Sequence, residues 1–256
     1  MKKALCDLTV VENRQLGPRF CMLTFRGALP AEILPGQFAQ VRIDASKPTF
    51  LRRPISICDA DPAAGTLRLL VRRAGAGTEA LCLVCKGEVV NMLLPLGRSF
   101  SIPENKDARI LLAGGGVGVA PMLFYGKQLK ALGYSPEFLT GARSEAELLL
   151  RDEFEALGPV HVSTDDGSAG HRGLVTLNPA LDRRWDLIAC CGPKPMMVGV
   201  AKKAIESGSP CEVSLENMMA CGLGACLCCV EKTVRGNVCV CTEGPVFNID
   251  ELTWFD

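Results

Sequence analysis

The sequence predicts a β-barrel plus α/β chain: an N-terminal antiparallel barrel or sandwich, a parallel-sheet domain with helices on both faces, and a small cysteine-rich C-terminal module. Three observations carry this. Up to about residue 100, short strand-like runs are broken by proline and glycine turns. From about Ala108, apolar strands alternate with helical stretches. Seven of the 14 cysteines then lie between Cys211 and Cys241. The expected units are 1–100, 101–209 and 210–256.

In the first unit, strands fall at Phe20–Phe25, Gln37–Ile43, Thr66–Val71 and Glu88–Leu94, with Leu51–Ser56 on a further strand. Pro35-Gly36, Pro62, Gly65, Gly75 to Gly77 and Pro95 to Gly97 punctuate them. Many short strands at close spacing argue for an antiparallel barrel or sandwich. One helix is expected near Thr78–Val84. In the second unit, strands at Arg109–Ala113, Glu137–Gly141, Val160–Thr164 and Leu187–Cys191 alternate with helices at Pro121–Leu132, Ser144–Leu157, near Gly173–Asn178 and at Pro195–Ser207. That alternation is the mark of a parallel sheet covered on both faces.

Composition narrows the function classes. Apolar residues make up 48% of the chain, enough for a sizeable core. Lysine plus arginine (28) equals aspartate plus glutamate (28), so no global charge draws nucleic acid or an anionic membrane. Asp7 and Glu12 interrupt any apolar run behind the two N-terminal lysines, so no secretory leader is read there. The uncharged stretch Ile110–Gly126 carries five glycines and a proline, a poor membrane helix. A soluble, cytoplasmic protein is expected, and in a reducing compartment a cysteine cluster points to metal rather than disulfides. His161 and His171 are too few and too isolated for a histidine-based centre.

The cysteines have a pattern. Cys221, Cys226 and Cys229 read C-x4-C-x2-C and Cys241 follows, the plant-type [2Fe–2S] spacing in which a loop supplies three thiolates and a later segment the fourth. Gly222, Gly224 and Ala225 let backbone N–H groups approach the sulfurs. Structural zinc is the competitor, but only Cys226 and Cys229 make a clean knuckle; inert core cysteines are the remaining alternative. Cys228 is expected to point away from the loop, and Cys241 is preferred to Cys239 because it opens the turn CTEGPVF.

Three further motifs suit a dinucleotide-sized ligand. In Leu51-Arg52-Arg53-Pro54-Ile55-Ser56 an arginine offers a fork of donors to a diphosphate, and Ile55 and Ser56 can lie along a flat ring. Leu70-Val71-Arg72 and the glycine turn Gly75-Ala76-Gly77-Thr78 reinforce it. Gly114, Gly115, Gly116 and Gly118, between a strand and a helix that Pro121 is expected to start, let backbone N–H groups reach a pyrophosphate, or else serve close packing. Cys191-Gly192-Pro193-Lys194-Pro195-Met196 closes a later strand at the carboxyl edge, where ligands of open α/β sheets sit.

The order RPIS, LVR…GAGT, AGGGVGVAP and CGPKPMM resembles the ferredoxin-reductase superfamily over nearly the whole chain. The appended CEVSLENMMACGLGACLCCV…CTEGPVF is similar to the electron-transfer subunits of B-type dihydroorotate dehydrogenases. Ile55, where stand-alone reductases usually carry an aromatic residue, matches that branch; Leu94-Pro95-Leu96-Gly97 departs from the superfamily's usual glycine-proline-leucine-glycine.

The resemblance implies an FAD held by Arg53, Pro54, Ile55, Ser56, Leu70, Val71, Arg72, Gly77 and Thr78, and NAD rather than NADP in the second domain. Arg143-Ser144 leaves the NADP alternative open from residues alone, either accepting a 2′-phosphate or capping a helix. The resemblance also implies a partner, an FMN-containing dihydroorotate dehydrogenase catalytic subunit, in a heterotetramer of two of each chain serving pyrimidine biosynthesis. Electrons would pass from FMN through [2Fe–2S] and FAD to NAD+, with no catalytic side chain in this protein. Plant-type clusters lie near roughly −400 mV, low for this donor, so hydrogen bonds and burial against the partner are expected to raise the potential. The rivals are a stand-alone NAD(P)H reductase for a ferredoxin or oxygenase, and a redox sensor or zinc module. Phe247, Ile249, Leu252, Trp254 and Phe255 form either an apolar docking surface or packing against the barrel.

Overall fold

The computed structural model describes residues 2–44 and 49–255. Strands β1 (Ala4–Gln15), β2 (Phe20–Arg26), β3 (Phe38–Val41), β4 (Arg53–Asp61), β5 (Thr66–Arg72) and β6 (Val89–Leu96) close into an antiparallel barrel in the order β1-β2-β5-β4-β3-β6. Alternate side chains fill it: Cys6, Leu8 and Val10 from β1, Cys21, Leu23 and Phe25 from β2, and Leu67, Leu69 and Val71 from β5 are all buried in one core. The short helix α1 (Ala76–Leu81) follows β5.

The second sheet has seven strands in the order β10-β9-β8-β7-β11-β12-β15. Its members are β7 (Ile110–Gly115), β8 (Glu137–Ala142), β9 (Val160–Thr164), β10 (His171–Arg172), β11 (Leu187–Cys191), β12 (Cys211–Ser214) and β15 (Val246–Asn248). All neighbours are parallel except β12 and β15. Every residue of β7 and β11 is buried, as a central strand covered on both faces requires. Helix α2 (Val119–Ala131) is apolar all round from Val119 to Gly126 because the barrel lies on one side of it and the sheet on the other. A Cβ on Gly126 would stand 2.5 Å from the Phe138 ring, so glycine sets that helix–sheet distance.

Polar contacts also tie the barrel to this sheet domain. Arg68 on β5 makes two hydrogen bonds to Glu153, at 2.7 and 2.8 Å, and Lys127 on α2 reaches Asp59 on β4 at 2.5 Å. Glu153 belongs to α3 (Arg151–Glu155). Phe100 stacks on Tyr125 with centroids 5.0 Å apart.

The structure corrects three helix expectations. The helix expected over Ser144–Leu157 is a 3-10 turn at Glu145–Glu147 and then α3, with Leu150 between them in the left-handed region at φ 58°; that break lets Leu149 enter the core. Near Gly173–Asn178 only the 3-10 turn Val175–Leu177 forms, since Pro179 follows at once. Pro121 is the third residue of α2 rather than its first. Its missing N–H falls among the first-turn donors that have no helical partner anyway.

After α4 (Lys194–Ser207), β12 and β15 extend the sheet at one edge. Between them lie the cysteine loop, the hairpin β13 (Val230–Thr233) and β14 (Gly236–Cys239), and α5 (Val240–Glu243). Phe247, Ile249 and Leu252 are buried, Trp254 packs on them, and Phe255 alone of that group is exposed. Packing therefore accounts for four of the five. Among the described residues no helix is long and apolar enough to cross a membrane.

Candidate functional site

The two arginines of the LRRPIS motif turn to opposite uses. Arg52 Nη1 donates to the carbonyls of Gln40 (3.2 Å) and Asn91 (3.1 Å), and its Nη2 to Asn91 Oδ1 at 2.5 Å, stitching the barrel. Among the described residues Arg53 donates to the main chain next to it, to Leu51 O at 2.8 Å and Arg52 O at 3.5 Å. Its Nε lies 3.0 Å from where a Cβ on Gly77 would stand, so glycine at 77 lets the guanidinium lie over the turn before α1. Thr78 Oγ1 accepts from Ala74 N (2.9 Å) and Gly75 N (3.2 Å), folding that turn onto the helix. Arg53, Gly77 and Thr78 are thus brought together from two separate strand ends.

Beside them opens a cavity of ≈ 260 Å³. Pro54, Ile55, Ser56, Leu70 and Arg72 form its barrel wall, Val117 closes one end, and Leu215, Glu216, Asn217 and Met219 form the facing wall. Val71 points the other way, into the barrel core. The facing wall comes from the segment leading into the cysteine loop, which the sequence marked only as part of the C-terminal resemblance and not as a wall of this cavity. Protein packed around Glu216 pushes its carboxyl up from the ordinary glutamate range, an effect that Arg72 opposes.

A second cavity of ≈ 350 Å³ lies at the carboxyl ends of β7, β8, β9 and β11. The strand order reverses between β7 and β11, and ligands of open α/β sheets bind at such a switch point. Gly115, Gly116, Arg143, Pro193 and Met196 line it, and so does Arg72, which also lines the first cavity. The glycines of the AGGGVG turn have different jobs. A Cβ on Gly118 would stand 2.2 Å from Cys191 O, one on Gly115 2.4 Å from Met196 Sδ, and one on Gly114 2.9 Å from Val119 Cα. Backbone packing demands glycine at 114 and 118, whereas at 115 the neighbour is the movable end of the Met196 side chain. Gly116, at φ +56°, meets nothing within 4 Å and faces the open crevice. Pro121 and Cys191 are buried beneath the crevice and line neither cavity. Gly192 packs on the Gly115 backbone, where a Cβ would stand 3.3 Å from Gly115 N.

The cysteine loop carries backbone donors aimed at sulfur. Leu223 N lies 3.3 Å from Cys221 Sγ, Gly224 N 3.2 Å from Cys241 Sγ, and Cys241 N 3.4 Å from Cys229 Sγ. The Leu223 N–H first, then those of Cys226 and Ala225, hold the Cys221 thiol down to about 6. Gly222 (φ +70°) and Gly224 (φ +82°) take the left-handed backbone that turns those amides inward. Soft thiols, with backbone N–H groups directed at the sulfurs of Cys221, Cys229 and Cys241, make a donor set that fits an iron–sulfur group. Cys239 Sγ instead faces the Gly224 carbonyl at 3.8 Å, and Cys228 Sγ the Met218 carbonyl at 3.6 Å. Among the described residues no three Cys, His, Asp or Glu side chains group as the ligands of one ion.

Comparison with known proteins agrees with this geometry. Residues 216–253 match the family model of the iron–sulfur cluster binding domain of dihydroorotate dehydrogenase B. The chain is 38% identical over 251 residues to the dihydroorotate dehydrogenase B (NAD(+)), electron transfer subunit, of Geobacillus kaustophilus (strain HTA426), covering 96% of this chain and 97% of that one. It is 36% identical over 261 residues to the subunit of the same name from Shouchella clausii (strain KSM-K16), covering 98% and 99%. Among solved structures, that of an NADH-dependent reduced ferredoxin-NADP oxidoreductase superposes with a TM-score of 0.87 at 31% identity, covering 97% of this chain and 90% of that one. The ferredoxin reductase of carbazole 1,9a-dioxygenase, at TM-score 0.69 and 20% identity over 82% of this chain and 68% of that one, shares the fold. With such identity along nearly the full length of both chains, this protein belongs to the family of electron transfer subunits of dihydroorotate dehydrogenase B.

Proposed function

We propose that this chain is the relay arm of a dihydroorotate-oxidising complex, taking electrons from the FMN of a separate catalytic subunit and delivering them to NAD+. The observation that carries the reading is the order of the three sites. Leu215, Glu216, Asn217 and Met219 line the first cavity, and the cysteine loop begins two residues later at Cys221. At the other side, Arg72 lines both that cavity and the crevice at the strand ends. Cluster, flavin and nucleotide sites therefore lie in series.

In this reading Cys221, Cys226, Cys229 and Cys241 hold one [2Fe–2S] cluster. Arg53, Gly77 and Thr78 bind the FAD diphosphate. Pro54, Ile55, Ser56, Leu70 and Arg72 lie along the flavin ring, and Val71 contributes backbone alone. Gly115, Gly116, Pro193 and Met196 take the nicotinamide nucleotide on a floor shaped by Gly114, Gly118, Pro121, Cys191 and Gly192. The cluster supplies single-electron steps and FAD the exchange between single electrons and hydride; the protein orients them and keeps water from the ring. Met218, Leu223 and Leu227 are 83%, 50% and 65% exposed around the exposed Cys226, an apolar rim suited to the FMN subunit. The assembly proposed is two of each chain, in the cytoplasm, where all 14 cysteines stay unpaired.

Mixing decides the matter. Alone, the FAD- and iron-loaded chain should reduce artificial acceptors with NADH and leave dihydroorotate untouched. With the FMN subunit added, dihydroorotate should reduce NAD+. Dihydroorotate turnover by this chain alone, or no complex with that subunit, would overturn the reading, the second in favour of a stand-alone reductase.

A further inference from the structure

Gln40 on β3 is fully buried, and neither its Nε2 nor its Oε1 has a hydrogen-bond partner among the described residues. Native interiors seldom leave a carboxamide unpaired at both ends. The other buried glutamine of this wall, Gln37, shows the usual solution: its Oε1 accepts from Leu34 N at 2.7 Å and its Nε2 donates to Gly97 O at 3.1 Å. Gln40 differs in what it faces. A Cβ on Gly222 would stand 2.8 Å from Gln40 Cγ and 3.0 Å from Gln40 Nε2, and Gly222 immediately follows Cys221. Two residues away on the same strand, Phe38 lines the flavin-side cavity, whereas Gln40 does not. The carboxamide is thus packed between the barrel and the cysteine loop. Its main chain is fixed there by pairing with Pro54 and by the Arg52 hydrogen bond to its carbonyl at 3.2 Å.

We propose that Gln40 is a positioning residue for the cluster: its Nε2–H donates into the sulfur shell held by the Cys221 loop and raises the cluster's reduction potential. The inference rests on the reading above that these cysteines bind [2Fe–2S]. A donated N–H stabilises the more negative, reduced cluster more than the oxidised one, so it moves the potential upward. Because neither end of the amide is engaged elsewhere, it can present its donor without breaking another bond.

Gln40→Leu removes the donor, and Gln40→Met removes it while keeping a flexible side chain of similar reach. In the full chain with iron and FAD content measured first, redox titration followed by EPR should show both variants with the cluster about tenfold less reduced at a fixed potential. For one electron that is about 59 mV downward. The FAD potential should not move. Wild-type protein carrying 15N-glutamine should show a nitrogen coupling in pulsed EPR of the reduced cluster, and Gln40→Met should lose it. That measurement stands even if Gln40→Leu fails to fold. Full iron with an unmoved cluster potential and no 15N coupling overturns the assignment alone. A shift confined to FAD overturns it by placing the amide's partner on the flavin. A wild-type chain with no EPR-active cluster overturns both the assignment and the reading on which it rests.

Discussion

On the barrel, the residues placed along the flavin ring stand on β4 and β5, where cross-strand pairing with β3 and β2 fixes each Cα. Across the cavity, residues 215–229 form no helix or strand. Three of the assigned cluster cysteines sit there, with N–H groups directed at Cys221 and Cys229, while the loop's Gly224 N–H points at Cys241 beyond it. The barrel wall draws its geometry from a closed sheet and a shared core. The loop draws its geometry from the chemistry it will hold. Metal binding and local folding are the same free energy in such a segment, whereas the flavin wall is complete without its ligand.

The largest expected effect follows from that difference. Replacing Cys221, Cys226, Cys229 or Cys241 with serine should abolish iron binding, strip hydrogen-exchange protection from residues 215–229, and leave FAD bound and the barrel protected. Cys228→Ser and Cys239→Ser should keep iron, since both thiols face carbonyls. Iron retained in Cys241→Ser and lost in Cys239→Ser would exchange the fourth ligand. Protection lost in the barrel as well would mean that the two regions fold as one.

Arg53→Ala strikes the other side with a smaller effect. A charge-assisted hydrogen bond contributes roughly 1.5–3 kcal/mol, so FAD affinity should fall by about 10- to 150-fold with iron content unchanged. Titrating FAD into the deflavinated variant measures this. Unchanged affinity would remove Arg53 from the site and leave the Gly77–Thr78 turn without its cationic partner.

The same contrast explains how much could be read in the sequence. The alternation of strands and helices, the glycine turn and the cysteine spacing are local patterns, and the fold and the cluster loop followed from them. β1 was not anticipated, because Asp7, Glu12 and Arg14 fall among its apolar residues and face outward only once the barrel exists. The helix expected at Ser144–Leu157 failed because Leu149 is claimed by the core, a tertiary demand that overrides propensity. The opposed uses of Arg52 and Arg53, and of Gly116 and Gly118, cannot be told apart in one dimension. Gln40 meets Gly222, and Arg72 shares a cavity with Glu216, across stretches of chain that no motif spans.

Glu216 sits where the two regions meet, and the smallest expected effect concerns its charge. It stands on the cavity wall that leads into the loop, and the protein packed around its carboxyl raises it above the ordinary glutamate range although the side chain keeps solvent contact, with Arg72 opposing. A carboxyl raised by folding contributes stability that is fully present below its unfolded pKa and is lost as pH rises through its folded value. Glu216→Gln cannot ionise, so it should unfold at a temperature close to wild type under acid conditions and at a higher one near pH 8. The gain should be slight, because the side chain still meets water at the cavity and solvent screens the charge. Thermal unfolding of the FAD-loaded chain at several pH values reads the difference directly. A gap between variant and wild type that stays constant from acid to alkaline pH would show that folding does not raise this carboxyl. A gap that widens with pH and widens further at high salt would show Arg72 offsetting part of the cost, because salt screens its attraction for the carboxylate.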